Sequence, residues 1–222
     1  MPQLPVATKN LIIITALCYL ATLALPRVGL DMVKLFGLHF PGAKDFKVWQ
    51  IVSYMFMHGS FTHLFFNMFA IYMFGRVLEE VWGLKRFLVF YFITGIGAAI
   101  IQILTWVRYV HTFAVNHGTT LGTVVSSDPS LNYMITIGAS GAVFGILLAF
   151  GMMFPNTPLY IMFIPIPIKA KYVVAGYGVI ELISGLVHVE GDVVAHFAHL
   201  GGMLFGYILL VWWKRSGSYK RW

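Results

Sequence analysis

Charge is scarce in this chain of 222 residues: Asp, Glu, Lys and Arg together make up 10% of it, while Ala, Val, Ile, Leu, Met, Phe, Trp, Tyr and Cys make up 59%. A water-soluble domain carries about 25% charged residues, so a soluble globular fold is excluded, and so is a disordered or collagen-like chain. Cysteine is nearly absent. The single Cys18 cannot close an internal disulfide, so it leaves the redox compartment unread. Acidic residues are also few, 8 against 15 Lys and Arg, a formal charge of +7. Spread thinly between long apolar runs, that excess fits a membrane protein better than a nucleic-acid binder, and no nucleic-acid partner is expected.

What the chain does have is uninterrupted apolar sequence. A spanning helix needs about 20 mostly apolar residues to cross ~30 Å of hydrocarbon. The intervals with few or no charges, 10–26, 48–75, 87–107, 129–168, 172–189 with only Glu181, and 193–213, supply six candidate spans, at about 10–26, 60–81, 87–107, 137–154, 172–189 and 193–213. The fourth lies in an uncharged stretch, 129–168, that is too long for one span. Pro129 at its start and Pro155, Pro158, Pro165 and Pro167 beyond confine its helix. The expected fold is an all-α membrane protein, a single domain over 1–222 made of six transmembrane helices. Residues 27–57 are apolar yet broken by Gly29, Gly37, Pro41 and Gly42, which predicts a first outer loop lying partly in the interface rather than a span. Residues 10–24 also read as a signal-peptide core, but removing them would leave five spans.

Lys and Arg in the loops set the orientation. With the N-terminus inside, the inner segments hold Lys9, Arg76, Lys85, Arg86, Lys169, Lys171, Lys214, Arg215, Lys220 and Arg221, and the outer segments hold Arg27, Lys34, Lys44, Lys47 and Arg108. Both termini are therefore expected in the cytoplasm. The small extent of chain outside the spans, with no targeting extension, points to a bacterial inner (cytoplasmic) membrane.

Polar groups within spans are costly and tend to mark sites. Span 2 and its entry bring His58, His63 and Asn67, span 4 brings Ser140, span 5 brings Glu181, and span 6 brings His196 and His199. Singly, each is accommodated by packing or by backbone carbonyls. Together they carry chemistry. Gly138-Ala139-Ser140-Gly141 places a hydroxyl at the entry of an apolar helix, where free N–H groups and the positive dipole end face a developing anion. His199, Gly202 and Gly206 fall at i, i+3 and i+7, so an imidazole stands above a strip without side chains. Gly141 and Gly145 offer a matching strip. Two such faces can bring Ser140 Oγ within the ~2.6–3.2 Å of a His199 nitrogen that a general base requires. His63 and Asn67 share a helix face as donors toward an oxyanion, joined by the backbone N–H of Ser140 at the turn that Gly138 opens. No acidic third member is evident, so the residues read as a dyad rather than a triad.

The blocks from His58 to Asn67 (HGSFTHLFFN), Gly138 to Gly141 (GASG) and Ala198 to Gly202 (AHLGG) resemble, in order, the three signature blocks of the rhomboid intramembrane serine proteases. The resemblance runs from about Trp49 to Gly206 and includes Gly75, Glu79 and Gly83. It implies a compact six-helix bundle with a water-filled site open to the outer side of the membrane, Ser140 as nucleophile, His199 as base, and His63 and Asn67 as oxyanion contributors. It also implies a supporting role for His58, with His196 packing or binding water. Two departures stand out. Phe144 replaces a tyrosine that stacks on the base, and Trp49-Gln50 replaces a Trp-Arg pair in the first outer loop. The implied reaction is cleavage of transmembrane-helix protein substrates in the lipid bilayer, with span 5 as lateral gate and the loop His188 to Asp192 as its cap. No cofactor and no metal is expected, and the oligomeric state is left open.

Four alternatives compete. A metal hydrolase built on His58, His63, His196 and His199 lacks the His-Glu-x-x-His spacing. A non-catalytic rhomboid-like protein that binds transmembrane helices has no need of both Ser140 and His199, and a proton-relaying transporter lacks repeat symmetry. Cys18 has no partner in the motif blocks for a cysteine protease.

Overall fold

The computed structural model describes residues 3–160, 166–187 and 195–217. The expected cap at His188 to Asp192 lies outside the described residues. The fold is an all-α membrane bundle. Among the described residues five helices are long and apolar enough to cross a bilayer, and a shorter apolar helix, Ser140–Met153, accompanies them. We label the main helices α1 (Val6–Ala24), α2 (Phe61–Trp82), α3 (Leu84–Asn116), α4 (Ser140–Met153), α5 (Ala170–Val187) and α6 (His196–Arg215).

These helices are apolar on nearly every side, so the chain must expose apolar side chains somewhere. It does so outward, with Ile13, Leu17 and Leu20 of α1 and Ile180, Ile183 and Leu186 of α5 all exposed, as lipid-facing helices require. The interior is aromatic and aliphatic. Phe87, Phe90 and Tyr91 of α3, Ile71 and Leu78 of α2, Ile146 of α4 and Leu210 of α6 are fully buried.

The packing of α3, α4 and α6 depends on missing side chains. A Cβ built on Gly202 would lie 1.8 Å from the carbonyl oxygen of Gly141, and one on Gly145 would lie 2.7 Å from Thr94. The α4 and α6 backbones are thus in direct contact, the close approach that small-residue interfaces permit in membranes.

Two local devices fix the ends. Pro5 leaves α1 without a side-chain cap of its own, and the buried carboxylate of Glu79 on α2 supplies one. Its Oε1 accepts from the Ala7 N–H at 2.8 Å, and its Oε2 accepts from the N–H and hydroxyl of Thr8 at 2.7 and 2.8 Å. A negative group at a helix N-terminus satisfies orphan donors and meets the positive end of the dipole. At α2, Ser60 caps the first turn by accepting from His63 N–H at 3.1 Å. Further along, a π-helical turn at Ile71–Gly75 re-phases that helix before Arg76.

The helices differ in length. α3 has 33 residues, ~50 Å at 1.5 Å per residue, and runs well past the expected 87–107. Its far end packs Val110 and Ala114 on Phe40, Val124 and Leu131 of the two long loops. α4 has 14 residues, ~21 Å, less than a bilayer core.

The first long loop is held by Gln50. That buried amide accepts from Lys47 N–H at 3.0 Å and donates to the carbonyls of Asp45 and Leu35 at 3.0 and 3.3 Å. The Trp49 indole also donates to the Leu35 carbonyl, at 3.2 Å. Gln50 therefore performs loop anchoring by hydrogen bonds alone. The two long loops join in a short antiparallel ladder, with Leu38 opposite Thr136 and His39 opposite Ile135.

Candidate active site

Ser140 is the first residue of α4, and the turn before it is unusual. Gly138 has φ +124°, a conformation that L side chains rarely adopt. Its N–H donates to the Tyr54 carbonyl at 2.9 Å, and the Tyr54 hydroxyl donates to the Gly95 carbonyl on α3 at 2.7 Å. The hydroxyl of Ser140 is thus presented from a turn fastened to two other elements.

Across the glycine contact, His199 lies in the first turn of α6. Its Nε2 is 2.7 Å from Ser140 Oγ, a hydrogen-bond distance. For Nε2 to accept from the hydroxyl, the ring must carry its proton on Nδ1. The ring lies flat on Phe144, centroids 4.3 Å apart and planes 7° from parallel, so the stacked face holds it against tilting out of its plane. Phe144 follows Ser140 by one turn of α4. It supplies the stacking face without a hydroxyl.

His63 reaches the same place from α2. A Cβ built on Gly138 would meet His63 Cε1 at 2.6 Å, His63 Nε2 at 2.7 Å and Ser140 Oγ at 3.7 Å. The imidazole therefore occupies the space a side chain at 138 would need, beside the serine. Asn67, one turn on and buried, donates one N–H of its amide to the His63 carbonyl at 2.8 Å. Among the described residues the second N–H of that amide meets no acceptor. His58 is fully buried, 4.8 Å from the His63 ring centroid. Burial, and secondarily the neighbouring His63, push its pKa down to about 4, so it is a neutral packing group at ordinary pH.

The main residue missed by the sequence reading is Glu181 of α5. Its Oε2 lies 2.6 Å from His196 Nδ1 and 2.9 Å from His199 Nδ1. Glu181 and His199 are each 8% exposed. An acidic group thus stands at the base, where none was expected, and His196 pairs with it rather than merely packing. The only signal in the sequence was a lone acid in an apolar span. Which helix it would face depended on tertiary packing. The nitrogens of His196 and His199 and a carboxylate oxygen of Glu181 lie within 4.8 Å of one another, close enough to hold a divalent metal ion, although no such site was expected. Among the four histidines of the alternative metal reading, His58 and His63 are not part of that group.

Chemically, a hydroxyl at a helix N-terminus, hydrogen-bonded to a fixed imidazole and flanked by further donors, has the parts of an acyl-transfer site. Known proteins are similar to this chain in sequence. The chain is 28% identical over 162 residues to RHOMBOID-like protein 6, mitochondrial, of Arabidopsis thaliana, covering 72% of this chain and 42% of that one. It is 27% identical over 173 residues to Rhomboid protease AarA of Providencia stuartii, covering 73% and 55%. It is 29% identical over 96 residues to Rhomboid protease GlpG of Haemophilus influenzae, covering 42% and 50%. The matched regions span only about a quarter to just over half of the curated relatives' own lengths. Since the family model described as Rhomboid domain matches residues 45–215, a stretch containing all of the residues above, this chain belongs to the rhomboid family.

Proposed function

We propose that the protein is an intramembrane serine endopeptidase that hydrolyses peptide bonds in or beside the transmembrane segments of other membrane proteins. The observation that carries this reading is the 2.7 Å contact between Ser140 Oγ and His199 Nε2, with the ring clamped by Phe144. Ser140 Oγ attacks the scissile carbonyl as His199 Nε2 takes its proton. The developing oxyanion meets the Ser140 N–H at the start of α4, His63 and the spare N–H of Asn67. His199 then passes its proton to the leaving amine, and a water activated by the same nitrogen releases the acyl enzyme.

The remaining steps concern access. A helical substrate hides its carbonyls in hydrogen bonds, so cleavage requires local unwinding, which small or helix-breaking residues favour. Most of α5 is exposed along its apolar side, which suits it as the lateral entry. The Lys and Arg distribution supports an orientation with both termini in the cytoplasm and the serine open to the outer side, as in a bacterial inner membrane.

Labelling with a serine-reactive fluorophosphonate tests the reading. Wild-type protein in detergent is expected to label, Ser140→Ala and His199→Ala to lose labelling while keeping their melting transitions, and a chelator to change nothing. Labelling that persists in Ser140→Ala would overturn the assignment. Folded wild-type protein that never labels would favour a non-catalytic, helix-binding rhomboid-like protein. Labelling abolished by the chelator would favour a metal bound by Glu181, His196 and His199.

A further inference from the structure

We propose that Glu181 is the positioning residue of the site, completing a Ser140–His199–Glu181 triad in which the acid is delivered from the neighbouring helix α5. The proposal rests on the serine hydrolase reading above. Three observations carry it.

The first is what Glu181 faces. Its carboxylate is buried in an otherwise apolar helix, where an ionised group is costly unless paired. One oxygen, Oε2, meets both His196 Nδ1 at 2.6 Å and His199 Nδ1 at 2.9 Å. The second is how the backbone allows this. Gly185, one turn beyond Glu181, presents its bare Cα to the start of α6. A Cβ there would touch Phe197 at 3.1 and 3.2 Å and His196 at 3.3 Å, so α5 and α6 meet closely beside the carboxylate. The third is what the other face of His199 needs. Nε2 must be unprotonated to accept from Ser140 Oγ, so Nδ1 carries the ring proton, and an acceptor at Nδ1 selects that tautomer.

In the reaction, His199 takes the Ser140 proton at Nε2 and becomes an imidazolium with protons on both nitrogens. Glu181 then faces a full positive charge across 2.9 Å in a place shielded from water, and returns to facing a neutral ring when Nε2 protonates the leaving amine. No proton moves to the carboxylate. In the resting geometry the Nδ1–H is out of line with Oε2 for an ideal hydrogen bond. Such contacts commonly tighten only when substrate is bound. His196 holds the same oxygen from the preceding turn of α6 and keeps the carboxylate from swinging away.

The experiment compares Glu181→Gln, Glu181→Ala and Glu181→Asp with wild type, using cleavage of a transmembrane reporter peptide in detergent and fluorophosphonate labelling. Glu181→Gln and Glu181→Ala are expected to lower kcat by about 100-fold with KM within twofold, since loss of the base's acidic partner and tautomer control is felt in the chemical step. Glu181→Asp is expected to recover part of that loss. A variant with wild-type kcat overturns the proposal, and so does a loss confined to KM. A wild type that neither labels nor cleaves fails the underlying serine reading instead. Activity lost to a chelator and restored by Zn²⁺ would make Glu181 a metal ligand and overturn the positioning role. Should the variants fail to fold, the nitrogen-15 spectrum of histidine-labelled wild type decides. His199, assigned by its disappearance in His199→Asn, is expected as the Nδ1–H tautomer, and an Nε2–H tautomer overturns the proposal.

Discussion

At the scale of the residue, a site of this kind depends as much on the atom that is missing as on those present. Gly138 has φ +124°, and a methyl group there would press on His63 at 2.6 Å. Gly138→Ala therefore strains the backbone and displaces the imidazole together, and the turn that aims Ser140 must move. We expect fluorophosphonate labelling to slow by at least ~10-fold, equivalent to about 1.4 kcal/mol, with the helical content of the protein unchanged. Gly176→Ala, where an added Cβ meets nothing within 4 Å, should label at the wild-type rate. Equal rates for the two variants would mean that the turn is not what positions the serine. Ser140, His199, His63 and Gly138 were legible in the sequence because each sits in a short block whose local geometry does most of the placing. Glu181 was not. It lies 18 residues from His199 across a helix connection, and nothing local says which way a lone acid in an apolar helix will turn.

At the scale of the element, the helices were legible as apolar intervals, while their ends were set by contacts that hydropathy does not contain. α1 begins where Glu79 caps it, and α3 continues past Arg108 because the two long loops cover its far end. Glu79 offers a test of this kind of end-fixing. In Glu79→Gln one carboxylate oxygen becomes an amide nitrogen that would point donors at the donors of Ala7 or Thr8. Leaving a buried group unsatisfied costs about 1–3 kcal/mol. The expected result is a lower melting temperature in detergent, with labelling of Ser140 unchanged below the transition, because the cap lies 12 residues along α2 from Asn67, ~18 Å. An unchanged melting temperature would show that α1 is held by its packing alone. Gln50 teaches the same lesson in reverse. Its departure from the family's Trp-Arg pair is visible in the sequence, but only the folded chain brings the carbonyls of Leu35 and Asp45 to its amide.

At the scale of the whole molecule, the short α4 and the sidedness of charge belong to one argument. A helix of 14 residues reaches ~21 Å, so if its Met153 end lies near one face of a ~30 Å core, Ser140 stands below the other face by several ångströms. On the proposed function, water would reach the serine from that second face and a substrate helix would enter from the side. Which face is the outer one then decides where the proposed reaction would release its products. Ten of the fifteen Lys and Arg residues fall on the side of the termini, a bias that predicts a cytoplasmic position for the termini and an external one for the serine. In a Cys18→Ala background, Ser126→Cys in the segment after α3 should react with an impermeant maleimide in intact cells. Ser216→Cys, just beyond α6, should react only after the membrane is opened. The reverse pattern would place Ser140 on the cytoplasmic side, and the proposed reaction would then have to draw its substrates and its water from within the cell.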